Sequence, residues 1–250
     1  MLATSQAIDP RSGVTMSYPV GFHPAAGRTP TSEAGQAGDT RAQILVALES
    51  RSTLIRAERD AEIVGQEDPV TWCYLVVSGC VRTVRLMEDG RRQVGEFLFS
   101  GDLFGWEALD THDFGAEAVT SVTLRRYARR DLERLVDQDR DVARKLRELS
   151  SSRLRSGREH MVLLGRKTAS ERIASFLLEM ATRSTAEAKS TIELPMSRSD
   201  VGDYLGLTIE TVCRRLTRLR LDGTIAINGT KIAIRNRTAL GEAVCERMVH

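Results

Sequence analysis

The sequence predicts an α+β chain: a roll of short antiparallel strands, a long helix, and a C-terminal winged helix-turn-helix. Three observations carry this. The stretch SRSDVGDYLGLTIETVCRRLTRLRL, residues 197 to 221, reads as two short helices around a glycine turn. TIAINGTKIAIRN, directly after it, alternates isoleucines on either side of Asn228 and Gly229, a signal for a two-residue type I′ hairpin turn. Glycines at 79, 90 and 101 punctuate strand-like runs at intervals of eleven, a spacing suited to successive turns of a small β-roll, or double-stranded jelly roll.

The totals set the frame. A length of 250 residues allows one or two domains with real cores, and 41% apolar with 28% charged residues is ordinary for a globular chain. A net charge of +2 is too small to indicate nucleic acid, so that case rests on where the arginines fall. Cysteines at 73, 80, 213 and 245 fit no disulfide ladder and no CxxC metal site, and a reducing cytoplasm is the expected setting. No run of eighteen apolar residues and no secretory core is present, so no membrane association is expected. No catalytic triad, metal set or phosphate-cradling loop suggests an enzyme.

In chain order, residues 1–39 are rich in Gly, Ala, Pro, Ser and Thr without periodicity and are expected to be a disordered tail. The second region, residues 40–136, begins with an apolar helix from Arg41 to Leu48. Trp72 to Val77, Val81 to Met87, Gln93 to Phe99 and Val119 to Tyr127 follow as strands, then a short helix near Arg130 to Val136. Between Gly101 and Leu124 there is no Arg or Lys, while Glu107, Asp110, Asp113 and Glu117 make the stretch acidic. A buried phosphate without a cation is costly, so this stretch is not expected to hold one. Trp106 and Phe114 are expected in the core, Cys73 and Cys80 as small buried hydrophobes, and His112 and His160 as structural residues rather than metal or haem ligands. No metal and no cofactor are expected.

The third region, residues 137–166, is a long Pro-free helix. Val142, Leu146, Leu149, Arg153, Ser156, His160 and Leu163 follow the alternating four and three spacing of a coiled-coil seam. A single helix lying on the β-roll fits that spacing as well as a parallel pair does. In the fourth region, residues 167–250, Ala169 to Thr182 is amphipathic through Ile173, Phe176, Leu177 and Met180, and STAEAKST is a polar connector. Ser197 and Asp200 form a capping box ahead of Val201 and Leu205. Gly202 permits close helix approach, Gly206 supplies a positive φ, and Thr208 caps the next helix. Val212, Leu216 and Leu219 then face inward, leaving Glu210, Cys213, Arg214, Thr217 and Arg218 outward. A carboxylate that accepts from cytosine N4, one turn before a guanidinium that forks onto guanine O6 and N7, has the chemistry for base edges in a major groove. Glu210 and Arg214 are therefore the expected base contacts, and Cys213 joins them through the resemblance given below. Ser197, Thr208, Thr211, Arg215, Thr217, Arg218 and Lys231 are the expected backbone contacts, joined by Arg220, Arg235 and Arg237. The last dozen residues, with Cys245, read as a short helix.

The stretch LPMSRSDVGDYLGLTIETVCRRLTRLRLDGTI resembles the DNA-binding domain of the CRP/FNR superfamily of bacterial transcription regulators, and specifically its FixK-like branch. The resemblance extends more weakly over about residues 42–237. It implies that the β-roll is of the cyclic-nucleotide-binding type, that the long helix makes a homodimer through the seam named above, and that double-stranded DNA and RNA polymerase are the partners; with no cation between Gly101 and Leu124, no cyclic nucleotide is expected in the roll. The branch's recognition helix carries Glu, two residues, Ser and Arg, which fall here on Glu210, Cys213 and Arg214. That match implies a palindrome close to TTGAT, four bases, ATCAA, with Glu210 and Arg214 on the G·C pair of each half-site. Cys213 departs from the pattern, being larger than serine and a weaker hydrogen-bond partner at the adjacent T·A pair. An iron-sulfur cluster, held in the FNR branch by cysteines of the N-terminal region, has no ligand set here, since the first cysteine is Cys73. The role implied is activation of genes for microaerobic or anaerobic respiration or nitrogen fixation, with a regulator whose β-roll binds a small molecule or haem as the alternative. Cys213, flanked by Arg214 and Arg215, is also a candidate redox switch, because nearby cations favour a reactive thiolate.

Overall fold

A computed structural model describes residues 4–8, 15–19, 52–107, 110–183 and 191–244. The expected helix at Arg41 to Leu48, most of the 184–191 connector, and Cys245 lie outside the described residues. Instead of a wholly unstructured run, residues 1–39 contain two strands, β1 (Thr4–Ile8) and β2 (Thr15–Pro19), paired antiparallel with Thr4 opposite Pro19. Threonines, Ile8 and Tyr18 supply enough β-propensity for that pairing, although two strands alone are marginal in water.

Eight strands build the roll: β3 (Thr53–Ala57), β4 (Glu62–Val64), β5 (Trp72–Ser78), β6 (Val81–Leu86), β7 (Arg92–Leu98), β8 (Leu103–Phe104), β9 (Gly115–Ala118) and β10 (Val122–Ala128). They form two antiparallel sheets, ordered β3-β10-β5-β8 and β4-β9-β6-β7. Val76, Val81, Leu98, Ala118, Val122 and Leu124 fill the space between them, and Tyr74 stacks on Phe104 at 5.1 Å. The strand expected over Val119 to Tyr127 is β10, which starts three residues later at Val122, and β9 just before it was not expected. β9 pairs with β6 in one sheet while β10 pairs with β3 and β5 in the other, so the chain must bend at Thr120 and Ser121 to change sheets. Gly79 turns the chain between β5 and β6 at φ 89°, where an added Cβ would sit 2.6 Å from the Ser121 carbonyl oxygen. Cys73 and Cys80 are buried, and burial pushes each thiol up to about 12, which keeps them protonated and inert.

Helix α1 (Arg129–Gln138) leads into α2 (Arg140–Arg166), whose 27 residues begin at Asp139, a cap accepting from the Asp141 and Val142 amides at 2.8 and 3.2 Å. Val142 and Leu146 pack with Cys73, Leu75, Leu103, Tyr127 and Leu132, binding the start of α2 to the roll. Helix α3 (Ala169–Arg183) buries Ile173, Phe176, Leu177 and Met180, the stripe its periodicity predicts.

Beyond it come β11 (Thr191–Glu193), α4 (Arg198–Leu205), α5 (Ile209–Leu221), β12 (Ile225–Asn228), β13 (Lys231–Ile234) and α6 (Arg237–Val244). The wing is a three-stranded sheet, β11-β13-β12, rather than a bare hairpin. Its turn differs from expectation by one residue: Asn228 pairs with Lys231, leaving Gly229 and Thr230 as the loop. Gly229 has φ 60° and Thr230 is not among the positive-φ residues, so the turn is of the Gly-first kind rather than type I′. One hydrophobic cluster joins Val84, Val94 and Phe97 of the roll to Phe176 of α3 and to Val201, Tyr204 and Leu205 of α4. Phe97, Phe176 and Tyr204 meet with ring centroids 5.4 to 6.3 Å apart.

Candidate DNA-binding site

Ser197 and Asp200 close the capping box of α4: the Asp200 amide donates to Ser197 Oγ at 3.0 Å and the Ser197 amide to Asp200 Oδ2 at 3.0 Å. Gly202 is required where it stands, because a Cβ there would lie 2.6 Å from the Leu207 carbonyl oxygen. Gly206 then takes φ 61° and ψ 43°, reversing the chain, and Thr208 Oγ1 accepts from the Thr211 amide at 3.3 Å to start α5. Val212 and Leu216 are buried and Leu219 packs beside them. Their burial fixes the rotation of α5 and leaves Glu210, Cys213, Arg214, Arg215, Thr217, Arg218 and Arg220 exposed on the other side.

That face is charged and ready to contact an anion. Its own backbone N–H, the Thr208 hydroxyl and Arg214 hold the Glu210 carboxyl below the ordinary carboxylate range, so it is an acceptor at neutral pH. Among the described residues, Arg214, Arg215 and Arg220 form no ion pair, whereas Arg218 Nε is 3.1 Å from Asp222 Oδ2. Thr211 is half-buried, with its hydroxyl 3.1 Å from that of Thr208. Lys231 is exposed at the start of β13, while Ser197, also exposed, spends its hydroxyl on Asp200. The structure thus gathers Glu210, Cys213, Arg214, Arg215, Thr217 and Arg218 on one face.

Two clamps that seat this face are absent from the sequence reading. Arg172 of α3 donates to the carbonyl oxygens of Leu164 at 2.7 Å, Lys167 at 2.9 Å, and Leu205 at 2.8 Å, tying the ends of α2 and α4 together. A polar residue on an amphipathic helix gave no signal of this. On the other side, Arg92 of β7 reaches Asp200 at 2.7 Å and Asp203 at 2.7 Å, and Arg82 of β6 reaches Asp200 at 3.2 Å and Glu117 at 2.8 Å. Burial works to raise the Asp200 carboxyl, but hydrogen bonds from Ser197 and the two guanidiniums outweigh it and hold the group below its usual range.

Comparison with known proteins decides what this arrangement is. Residues 54–139 match the cyclic nucleotide-binding domain and residues 171–243 the Crp-like helix-turn-helix domain. The chain is 43% identical over 203 residues to the nitrogen fixation regulation protein FixK of Azorhizobium caulinodans, covering 80% of this chain and 81% of that one. The chain belongs to the CRP/FNR family. The FixK protein of Rhizobium meliloti is 42% identical over 170 residues, covering 68% of this chain and 76% of that protein. A solved structure of FixK2 from Bradyrhizobium japonicum superposes with a TM-score of 0.74 at 45% identity, covering 77% of this chain and 96% of that one. This CRP/FNR protein is a transcription regulator of the FixK type, and its helix-turn-helix is its DNA-binding element.

Within this CRP/FNR fold the seam expected on the long helix needs correction. Val142, Leu146 and Leu149 pack on the chain's own β-roll, Leu163 on its own DNA-binding domain, Arg153 reaches Glu107, and His160 stacks on Tyr204 at 4.3 Å. Ser156 is exposed beside a cavity. The four-three spacing is real, but Val142, Leu146 and Leu163 are buried within the chain and face no second copy. The outward side of α2 carries Leu154, Met161 and Val162, exposed by 56, 72 and 57%. Trp106 and Phe114, expected in the core, are half-buried, and Phe114 borders a cavity of about 420 Å³ with Glu96, Glu107, His112 and Asp113. No metal-ligating cluster occurs among the described residues, and no helix among them is long and apolar enough to cross a membrane.

Proposed function

We propose that the protein binds a palindrome close to TTGAT, four bases, ATCAA as a two-fold dimer, and there activates transcription by cytoplasmic RNA polymerase. The genes concerned serve nitrogen fixation, in keeping with the names of its FixK relatives, or respiration under oxygen limitation. The outward face of α5, with Glu210 and Arg214 one turn apart over a buried Val212, is the observation that carries this reading. Two copies related by a two-fold axis place two such faces about one helical turn apart. The copies meet along the outward side of α2. Arg147, Ser151, Leu154, Arg158, Met161 and Gly165 repeat there at the same four-three spacing, with Leu154 and Met161 as apolar contacts and the polar positions among them fixing register. Titrating the purified protein, without additives, onto the palindrome and onto a scrambled duplex tests the proposal. Preference for the palindrome supports it, and equal binding to both refutes it.

Arg220 serves phosphates in this reading. Arg220→Ala is expected to weaken binding to palindrome and random DNA alike and to flatten the plot of log affinity against log salt by about 1. Salt titrations of both duplexes check it.

Cys213 adds a redox input. It is exposed on the DNA-facing side between Thr217 and Glu210, while Cys73 and Cys80 are sealed in the roll. Oxidation to a sulfenic or sulfinic acid would set bulk or negative charge against phosphate. After peroxide treatment the parent is expected to lose most of its operator binding and Cys213→Ser to keep it. Loss at the same rate in both proteins would remove the switch from this residue.

A further inference from the structure

Arg153 of α2 crosses to the β-roll and is held there from several directions. Its Nη1 donates to Glu107 Oε1, its Nη2 donates to the Leu103 carbonyl oxygen at 2.5 Å, and Glu96 Oε2 lies 3.8 Å from Nη2. The guanidinium carbon stands 5.8 Å from the centre of the Trp106 ring. Glu107 is prepared for this role, since its other oxygen already accepts from the Trp106 amide at 2.8 Å. One guanidinium therefore faces two carboxylates, a carbonyl and an aromatic ring, a set suited to a flat cation with several donors.

The position commands two spaces. Gly95 and Glu96 line both the 420 Å³ cavity of the roll and a second cavity of about 340 Å³ enclosed by β7, α2, α3 and α4. Glu107 borders the first and Arg153 the second, so the ion pair stands between them. Along α2, two turns beyond Arg153, His160 stacks on Tyr204 of α4, and Leu164 gives its carbonyl to Arg172, which also holds Leu205. A rigid helix pinned at Arg153 thus has its rotation fixed where it meets the helix-turn-helix.

We propose that Arg153 is the β-roll's built-in ligand: its guanidinium fills the acidic gap between the two cavities, sets the rotation of α2, and thereby holds the helix-turn-helix in its DNA-binding seat without a diffusible effector. The gap is a guanidinium site, and it accepts a free guanidinium compound once the side chain is removed. Removing the arginine leaves Glu96 and Glu107, which both line the first cavity, without the cation they share, and an added guanidinium can take its place. The link to DNA rests on the function proposed above; the site itself does not.

Two readouts test the site and its consequence separately. Arg153→Ala is expected to lose roughly tenfold in affinity for the palindrome, within the usual range for coupled sites. Ethylguanidinium chloride at tens of millimolar should return it to within about threefold of the parent, and ethylammonium chloride at the same ionic strength should not. In the absence of DNA, ethylguanidinium should raise the thermal midpoint of Arg153→Ala, leave the parent unmoved, and have no effect once Glu107→Gln is added. Arg153→Lys should bind the palindrome at an intermediate level, because an ammonium lacks the fork that spans Glu107 and Leu103. Should Arg153→Ala not fold, Arg153→Gln takes its place in both measurements. A folded variant that binds as the parent does, or whose deficit and midpoint ethylguanidinium leaves unchanged, overturns the proposal. A parent without preference for the palindrome would instead refute the proposed function, and the midpoint shift would still decide the site.

Discussion

Asp200→Ala is expected to destabilise the protein by about 3 to 5 kcal/mol, the usual cost of removing one partner from a buried ion pair. The side chain is 3% exposed and meets Arg92, while Arg82, itself 10% exposed, loses a partner within 3.2 Å. The same change deletes the N3 half of the α4 capping box. Asp200→Asn keeps part of the cap and loses the charge, so it should fall between parent and alanine. Urea denaturation midpoints of the three proteins check the order. The pH dependence has a definite sign. Because the folded-state pKa of Asp200 is depressed, its contribution is present above the unfolded value near about 4 and is lost as pH falls through the lower folded value. The gap between parent and Asp200→Ala should therefore be full at neutral pH and close in acid. A gap that does not change with pH would mean the carboxylate's charge is not what matters.

Arg214→Ala should cost roughly 1 to 3 kcal/mol at the palindrome, the range for one bidentate base contact, and should relax the preference at the G·C pair of each half-site. In the proposed dimer two copies of the change act together, so the expected loss lies at the upper end. Arg214 is exposed, opposite Val212 and Leu216, so the substitution leaves the fold's core untouched. Binding to operators altered at each half-site position distinguishes readout from mere attraction. An equal loss on cognate and random DNA would assign Arg214 to phosphate instead.

The helix-turn-helix was legible because its signals are local: a cap, two glycines, a second cap and an apolar stripe, all within residues 197 to 219. The β-roll was legible in its turns and in β10 but not in β9, whose sequence GAEA holds no β-branched or aromatic residue to mark a strand. The long helix was legible as a helix and misread as to face. Both sides of α2 carry a four-three repeat, and choosing between them needs to know that Leu132, Leu103 and Tyr204 wait on one side. The Arg82 and Arg92 contacts to Asp200 join residues 118 and 108 positions apart, and spacing within a strand or helix says nothing about such pairs. β11 escaped notice because three residues at a sheet edge carry too little pattern.

The aromatic contact of Phe97 with Phe176 and Tyr204 has a consequence for anyone building chimeras. A graft that moves residues 167–250 onto another scaffold leaves two rings without the third, and a graft of the roll alone strips Phe97 bare. Swaps in this protein should respect that hinge of rings, carrying a matching residue at position 97 with every transplanted reader of DNA.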